Sequence, residues 1–526
     1  MSGAHTGTGD ALESAGVSGG REQPSSSPAS SARIRAHEVG TAVRNGITLG
    51  GSLLLTWSVA LIVKFQIPAH LGPSRVGHFG FAESFAGMFL AVTGLGIETY
   101  VVKEIAVRPA HASDFVGGVF ALRALIFAVL LALMMVTLQV TGRTGEIIPT
   151  VAVFAATQFF LTLNQTLAAI LQAASKVGRL AVSNVSGKLV WGVGLLIWLH
   201  ANAPLPLLAL PMLLGELLRL AILVPETRAA VGLRYRVDLA SLRPVLVASL
   251  PYFISGVAIS FGNNLSMTAL EFIRRDEREV GWYAASQNLG SLAMLLCPLL
   301  VWVVMPMLSR AWARAPEEGM NIVRRSLEAL IVIIAPATTI LSCGADVFIR
   351  IAFGEKFAHA ATGLSILSLV FLLFYLNILL GNALVIAGQA WWNTLISTCS
   401  IASMSVLMLV CVPAGRALMG TGGECAGAAS AVILNEIGVV VAMVWRFPKA
   451  PFDARNVRVL AKSVAIAIVV LLTDRLLRGL GPARLVLDLG LYVALALMLR
   501  LVHAGDVRKL VEVVRARRAG NEPAVT

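Results

Sequence analysis

The chain has 526 residues, of which 57% are hydrophobic and only 13% are charged, and its formal net charge at neutral pH is +13. A soluble domain carries roughly a quarter of charged residues on the surface that water must wet. This composition excludes a soluble globular protein. It also excludes a nucleic-acid-binding protein, because no polar segment is long enough to fold into a domain with a basic face.

The first residues and the apolar segments divide the chain in sequence order. Residues 1–40 are rich in Ser, Gly and Ala and lack a continuous apolar run, which predicts a disordered cytoplasmic tail. Apolar runs of about 20 residues follow, and each is long enough for a helix to cross roughly 30 Å of hydrocarbon. Barrel strands would alternate in polarity, so these runs are predicted to be helices. The predicted spans are 47–69, 78–101, 115–139, 148–172, 180–199, 205–225, 243–268, 281–306, 324–345, 361–386, 392–413, 425–445, 456–474 and 484–503.

The distribution of Lys and Arg predicts the orientation of these spans, because loops that stay in the cytoplasm hold the excess of both residues. With the N-terminus inside, the two tails and the even-numbered loops carry most of them, and only Lys64, Arg123 and Lys188 fall within spans. Both termini are therefore predicted to be cytoplasmic. The basic tail 506–526 includes Val507–Arg518, whose apolar face suits either a helix lying on anionic lipid or a solvated tail.

Enzyme and metal motifs are not found in the sequence. The five cysteines lie in or beside apolar segments without metal-like spacing, and they are interpreted as small buried hydrophobes. No Gly-rich loop ending in Lys-Ser/Thr is present, so nucleotide hydrolysis is not expected. The sequence thus predicts no catalytic residue, no cofactor and no metal site. The cysteines are Cys297, Cys343, Cys399, Cys411 and Cys425.

An internal repeat links Val76–Ser84 with Val280–Asn288. Both begin with Val-Gly and continue with two aromatic or large residues, small residues and a polar pair. Six spans separate the copies, and this even number gives the two halves the same orientation. The repeat predicts two six-helix lobes around a central cavity, an architecture typical of alternating-access transporters. The predicted parts after the first tail are lobes 41–240 and 241–450, two additional helices in 451–505, and the basic cytoplasmic tail 506–526.

At these residues the chain resembles the oligosaccharide flippase (Wzx-like, polysaccharide biosynthesis protein) family of the multidrug/oligosaccharidyl-lipid/polysaccharide exporter superfamily. The resemblance covers residues 40–447 and depends on the order of several weak motifs. In the first lobe they are Ile67–Gly72, Val76–Ala82, Gly94–Glu98, Val102–Ala106 and Leu122–Arg123, and in the second Trp282–Ser286, Met305–Ser309, Phe353–Phe357, Ala387–Gln389 and Gly427–Ser430.

The resemblance implies an all-helical fold of about fourteen spans in a bacterial cytoplasmic membrane. It implies transport of an oligosaccharide on an undecaprenyl pyrophosphate carrier, such as an O-antigen, lipopolysaccharide or exopolysaccharide repeat unit. The expected partners are that lipid-linked substrate, membrane lipids, and a polysaccharide polymerase or glycosyltransferases. Relatives with the same motifs flip a peptidoglycan precursor or exchange drugs for cations, and both alternatives stay open, as does a membrane-embedded polysaccharide polymerase.

Polar residues within spans are the candidates for substrate contact, because an ionisable group at a helix centre costs about 2.5 to 3.5 kcal/mol on insertion scales. The cations suit a pyrophosphate, and the amides suit sugar hydroxyls, although snorkelling and structural hydrogen bonds are the alternatives. Glu436 near a span centre is the candidate for ion coupling or for a structural hydrogen bond. The substrate-binding candidates are Lys64, Glu83, Arg123, Lys188, Asn263, Asn264, Gln287 and Asn288.

Overall fold

The computed structural model describes residues 50–52, 54–108, 112–174, 176–232, 239–294, 297–447 and 452–501. Both predicted tails, the start of the first span and the middle of the loop 228–243 lie outside the described residues. All regular secondary structure within the described ranges is helical. The helices are α1 Gly50–Leu71, α2 Pro73–Leu90, α3 Ile97–Val107, α4 Ala112–Val140, α5 Ile147–Ala173, α6 Val177–His200, α7 Leu205–Val231, α8 Leu239–Ile273, α9 Glu277–Ala293, α10 Cys297–Arg314, α11 Pro316–Cys343, α12 Ala345–Phe353, α13 Ala360–Ile386, α14 Ala390–Met419, α15 Gly423–Arg446, α16 Ala454–Leu477 and α17 Arg484–Met498, with short 3-10 turns at Ala91–Gly94, Glu355–Phe357 and Arg478–Ala483.

Ten helical segments in the described ranges are long and apolar enough to cross a membrane, or eleven when the two parts of α8 form one span. The parts of α8 meet at an angle of 60° at Pro251, whose missing N–H interrupts the helical ladder. Predicted spans 78–101 and 281–306 are not single helices but the broken pairs α2–α3 and α9–α10. The all-helical, multi-pass fold is confirmed, and the count of fourteen stays a prediction.

The break between α2 and α3 has a clear backbone cause. Leu95 and Gly96 both have left-handed conformations, with φ of 56° and 63°. A Cβ on Gly96 would lie 2.3 Å from the backbone nitrogen of Phe253 in α8, so only glycine permits this approach. The second predicted span therefore bends where α8 crosses it.

The helices pack as two groups that meet along α2, α8 and α9. In the first lobe, α5 lies against α2, α3 and α7, and α6 packs on α7. In the second lobe, α13 contacts α9, α11 and α15, and α14 packs on α15 and α8. The helices α16 and α17 pack on each other and on α11. Loops after the odd-numbered predicted spans contact one another at one end of the bundle, called the odd-loop end below; an example is Arg75, which donates to the carbonyl of Ala203 at 2.8 Å.

Candidate functional site

Charged side chains of the predicted spans form a cluster in the first lobe. Lys188 on α6 interacts electrostatically with Glu216 and Arg219 of α7, with Glu83 of α2 and with Lys64 of α1. Three cations and two carboxylates give this charge cluster a net charge of +1. An anion is therefore favoured over a cation as its ligand.

A close crossing of α6 and α7 positions the cluster. A Cβ on Gly215 would lie 2.5 Å from the carbonyl oxygen of Gly187, and one on Gly187 would lie 2.6 Å from the Arg219 side chain. Small residues let membrane helices approach in this way. Lys188 of α6 and Glu216 of α7 directly follow these glycines in sequence, so the crossing brings the two residues close to each other.

A cavity of about 130 Å³ opens beside Lys188 and is lined by α1, α6 and α7. The Lys188 ammonium lies 4.2 Å from the centroid of the Trp191 ring, a cation–π arrangement. Arg219 pairs with Glu216 at 2.8 Å, which confirms the ion pair that their spacing predicts, and it also donates to Asn184 at 2.9 Å. The lining residues are Ser52, Thr56, Asn184, Gly187, Lys188, Trp191, Met212, Glu216 and Arg219.

Glu83 places the cluster at the boundary between the lobes. Gly80 and Gly87, three residues before and four after it, share its helix face and lie against α8, where Gly87 contacts the Asn264 amide. Glu83 is nevertheless exposed, and Lys64 and Lys188 are the cations that act on it. The Glu83 side chain therefore reaches open space beside this contact between the lobes.

Lys64 links the two lobes in the observed conformation. Its ammonium donates to the Ser291 hydroxyl of α9 at 3.0 Å, so a side chain of the first lobe bonds a side chain of the second. Lys64 is half-buried. A ligand that binds this ammonium must displace Ser291 or share the ammonium with it.

The two copies of the internal repeat touch each other at the odd-loop end. A Cβ on Gly281 would lie 1.7 Å from the carbonyl oxygen of Pro73, and one on Gly77 would lie 2.8 Å from the Gly281 nitrogen. Next to this contact Ser74 donates to Glu277 at 3.1 Å, and His78 lies 3.8 Å from the same carboxylate. The Val-Gly elements thus close the lobes against each other at this end.

A second link between the lobes lies close to this glycine contact. Glu271 at the end of α8 is fully buried and pairs with Arg143 of the first lobe at 2.6 Å. Arg274 binds the same carboxylate at 2.6 Å. The odd-loop end is therefore held shut by backbone contact and by buried ion pairs.

The sequence model of the family described as "Polysaccharide biosynthesis protein" matches residues 42–312, which is more than half of the chain. The chain belongs to this family. No curated protein sequence matches it.

Solved structures show which fold this family member shares. It is similar to "Lipid II flippase MurJ, inward closed conformation", with a TM-score of 0.66 and 13% identity over 89% of this chain and 100% of that one. An inward-facing multidrug resistance MATE family transporter of the MOP superfamily gives a TM-score of 0.60 with 14% identity, over 74% and 92% of the two chains. An outward-facing one gives 0.52 with 15% identity, over 76% and 93%. The chain therefore shares the fold of these transporter structures.

Arg123 of this family member lies away from the cavity, inside the first lobe. Its guanidinium is fully buried and donates to the carbonyls of Gly94 and Thr162 at 2.7 and 2.6 Å. It also donates to the Thr166 hydroxyl at 2.7 Å and to the Glu98 carboxylate at 3.0 Å. Gly94 and Glu98 flank the break between α2 and α3, and the two threonines lie on α5, so Arg123 fastens the break to α5 and is not included in the substrate site proposed below.

The four amide candidates lie on α8 and α9, on the second-lobe side of the boundary. Asn263 is exposed, and Asn264 donates to the Ser260 carbonyl at 2.7 Å. Gln287 and Asn288 are half-buried on the helix that carries Ser291. Asn264 contacts Gly87 of the first lobe, and Gln287 and Asn288 lie one turn before Ser291, which bonds to Lys64.

Glu436, the candidate for ion coupling, lies in the second lobe away from the charge cluster. Its carboxylate accepts from the Asn377 amide of α13 at 3.0 Å. This bond corresponds to the structural alternative that the sequence left open.

Sequence reasoning did not assign Ser291, Trp191 or Asn184 to a site. The last two lie one helix turn on either side of Lys188, so a search at i−4 and i+3 from each intramembrane cation would have found them. Ser291 is 227 residues from Lys64, and no local pattern connects them.

Proposed function

We propose that this protein moves a polyprenyl-pyrophosphate-linked oligosaccharide across the bacterial cytoplasmic membrane by alternating access. Lys64, Lys188 and Glu83 form the head-group site, and the amides Asn263, Asn264, Gln287 and Asn288 face the sugars. The observation that carries the proposal is the cluster of net positive charge beside a cavity of the first lobe, at the boundary where Lys64 bonds to Ser291 of the second lobe. A substrate with a pyrophosphate supplies the anion that such a cluster favours.

The Lys64–Ser291 bond suggests how binding and lobe motion are connected. A pyrophosphate that takes the Lys64 ammonium removes a bond between the lobes. Binding then weakens the closed arrangement, as a ligand must do to shift a conformational equilibrium. The glycine contact at the odd-loop end is the other link that has to open before release.

An apolar groove in the second lobe fits the lipid part of the substrate. It has a volume of about 550 Å³ and lies between α11, α12, α13 and α17. Its walls are mainly hydrocarbon, and Ile333, Phe348, Phe371 and Leu489 are among them. Isoprenoid chains bury well against such walls.

The test measures flipping of a fluorescent undecaprenyl-pyrophosphate oligosaccharide in proteoliposomes. Replacing Lys64 and Lys188 by Ala removes two charge-assisted contacts, each worth about 1.5–3 kcal/mol, so each single variant should lose about ten- to hundredfold in apparent affinity. Lys356→Ala removes an exposed lysine from a loop and serves as the matched control. Unchanged flipping in the double variant would refute the proposed site.

The same vesicles discriminate the rival transport functions. A drug/cation antiporter should move lipophilic cations against a proton or sodium gradient and should be insensitive to Lys64→Ala. A peptidoglycan-precursor flippase should prefer that glycan over a surface-polysaccharide repeat unit. The net charge of +1 in the cluster favours either lipid-linked anion over a cationic drug.

A further inference from the structure

Three groups with metal-ligand chemistry meet at the odd-loop ends of α11, α16 and α17. Cys343 is the last residue of α11, Asp474 lies in the last turn of α16, and Asp488 lies in the first turns of α17. Their ligand atoms all lie within 4.8 Å of one another. The three side chains are buried, with exposed fractions of 4%, 5% and 0%.

The Asp488 carboxylate makes this cluster unusual. Both of its oxygens are buried and accept no hydrogen bond from a backbone, amide, hydroxyl or guanidinium donor among the described residues, and the group that they meet is the Asp474 carboxyl. Asp474, in contrast, pairs with the Arg484 Nε at 2.8 Å. Arg484 also donates to the Asp346 carboxylate and to the Cys343 carbonyl, the latter at 3.1 Å. The arginine therefore forms no hydrogen bond with Asp488, which faces a second carboxyl group.

The charges in this cluster do not balance. Arg484 is the one cation among the charged groups that act on Cys343 and Asp488 within the described chain. Asp346 is partly exposed, so water screens it, but Asp474 and Asp488 are both buried. Two buried carboxylates that face each other cost several kcal/mol, and either a shared proton or a bound cation removes this cost.

We propose that Cys343, Asp474 and Asp488 bind a divalent transition metal ion of the zinc class. One thiolate and two carboxylates match the donors that zinc accepts, with a fourth position left for water. On binding, Cys343 releases its thiol proton to solvent, so three negative groups face Arg484 and a doubly charged ion. The buried charges then sum to zero.

The distances are compatible with such an ion. Tetrahedral coordination at the usual zinc bond lengths places the ligand atoms about 3.5 Å from one another. The ligand atoms here lie up to 4.8 Å apart, and shifts of about 1 Å in the side chains would bring them to this separation. The metal would fasten α16 and α17 to the end of α11, and it would thereby fix the two additional helices on the second lobe.

The test uses the full-length protein in nanodiscs, with its affinity tag removed and its metals stripped by chelation. Zn²⁺ is titrated calorimetrically, and Co²⁺ is added as a spectroscopic probe, because a thiolate ligand gives a charge-transfer band that carboxylates do not. We expect one equivalent per chain and the thiolate band. Cys297→Ala, which removes another buried thiol, should leave both signals unchanged.

Two variants remove ligands in different ways. Asp488→Asn keeps the shape of the side chain, and Cys343→Ser keeps its size, so at least one of them should fold normally by size-exclusion chromatography. Each should lose the high-affinity site, with a fall of more than about tenfold in affinity. If the wild type binds no more Zn²⁺ than these variants, the proposal is wrong. A protonated-carboxyl infrared band that disappears in Asp488→Asn would then show that Asp474 and Asp488 share a proton instead.

Discussion

The two lobes share a repeat and a packing plan but differ in their intramembrane charge. In the first lobe, Lys188, Glu216 and Arg219 line one cavity, and Lys64 and Glu83 interact electrostatically with Lys188 beside it. In the second lobe, Glu436 is the single Asp, Glu, Lys or Arg in the central parts of α13, α14 and α15, and it bonds to Asn377. The second lobe instead contributes amides at the interface and an apolar groove.

The difference in charge suggests that the two lobes contact different parts of one substrate. Charge inside a membrane is expensive, so five charged groups in one lobe indicate a position where charge is used or balanced. An apolar groove in the other lobe costs nothing to maintain in lipid. The pattern fits a ligand with a charged head group and a hydrocarbon tail, which the lobes hold from opposite sides.

The largest expected effect comes from the glycine that both copies of the repeat need for contact. Gly281→Ala places a Cβ 1.7 Å from the Pro73 carbonyl, where backbone must move, and we expect transport to be abolished. Gly438→Ala is the control, because nothing lies within 4 Å of its added Cβ. Flipping in proteoliposomes reports the result. Normal transport by Gly281→Ala would show that the odd-loop end does not need to close as observed.

Removal of Arg123 should be the next largest effect, and it should act on folding. Its loss leaves Glu98 and the buried Gly94 carbonyl without their partner, at a cost of about 3–5 kcal/mol. Thermal unfolding in detergent measures this loss. Arg123→Lys should recover only part of the stability, because a single ammonium cannot reach all four acceptors. A stable Arg123→Ala protein with weakened substrate affinity would instead assign this residue to the substrate.

A moderate effect on transport is expected when one intramembrane carboxylate of each lobe is replaced in turn, Glu83 in the first lobe and Glu436 in the second. Glu83→Gln raises the cluster charge from +1 to +2, so a pyrophosphate should bind more tightly and leave more slowly. Both apparent KM and maximal flipping rate should fall, the latter by about tenfold, or 1.4 kcal/mol. Glu436→Gln keeps an acceptor for Asn377 and should change transport less than twofold. Equal effects of both variants would remove the functional distinction between the lobes.

Residues of the first lobe show how far sequence reasoning reaches. Apolar runs and the Val-Gly repeat are local patterns, so they predict an all-helical protein with an internal repeat. The break at Leu95–Gly96 escaped prediction, because hydropathy does not register a change of backbone conformation. The sequence makes both the exposed Glu83 and the buried Arg123 candidate ligands, since burial depends on helix rotation. Only tertiary structure separates a side chain at the lobe boundary from one that holds a helix break.

The smallest expected effect comes from the N-cap residues, which directly precede α2 and α9 and differ between the two halves. Asp276 accepts from the backbone N–H of Arg278 at 2.9 Å, whereas the equivalent Gly72 has φ of 76° and no side chain to cap its helix. Asp276→Ala should therefore cost about 1 kcal/mol of stability. Gly72→Ala should cost about 1–2 kcal/mol through strain alone, because its added Cβ meets no atom within 4 Å.

The charge of Asp276 can be separated from its capping bond by pH. The Arg278 guanidinium, 2.7 Å away, together with the capping N–H, holds the pKa of Asp276 below its ordinary value. A lowered folded-state pKa means that the ionised carboxylate contributes stability above its ordinary pKa of about 3.9, and that this contribution is lost as the pH falls through the lowered value. Asp276→Asn keeps a capping oxygen, so its unfolding temperature should lie slightly below the wild-type value at pH 7 and should converge with it in acid. A gap that persists at low pH would show that the amide disturbs the cap itself, and the contrast with Gly72 would then report helix geometry and not charge.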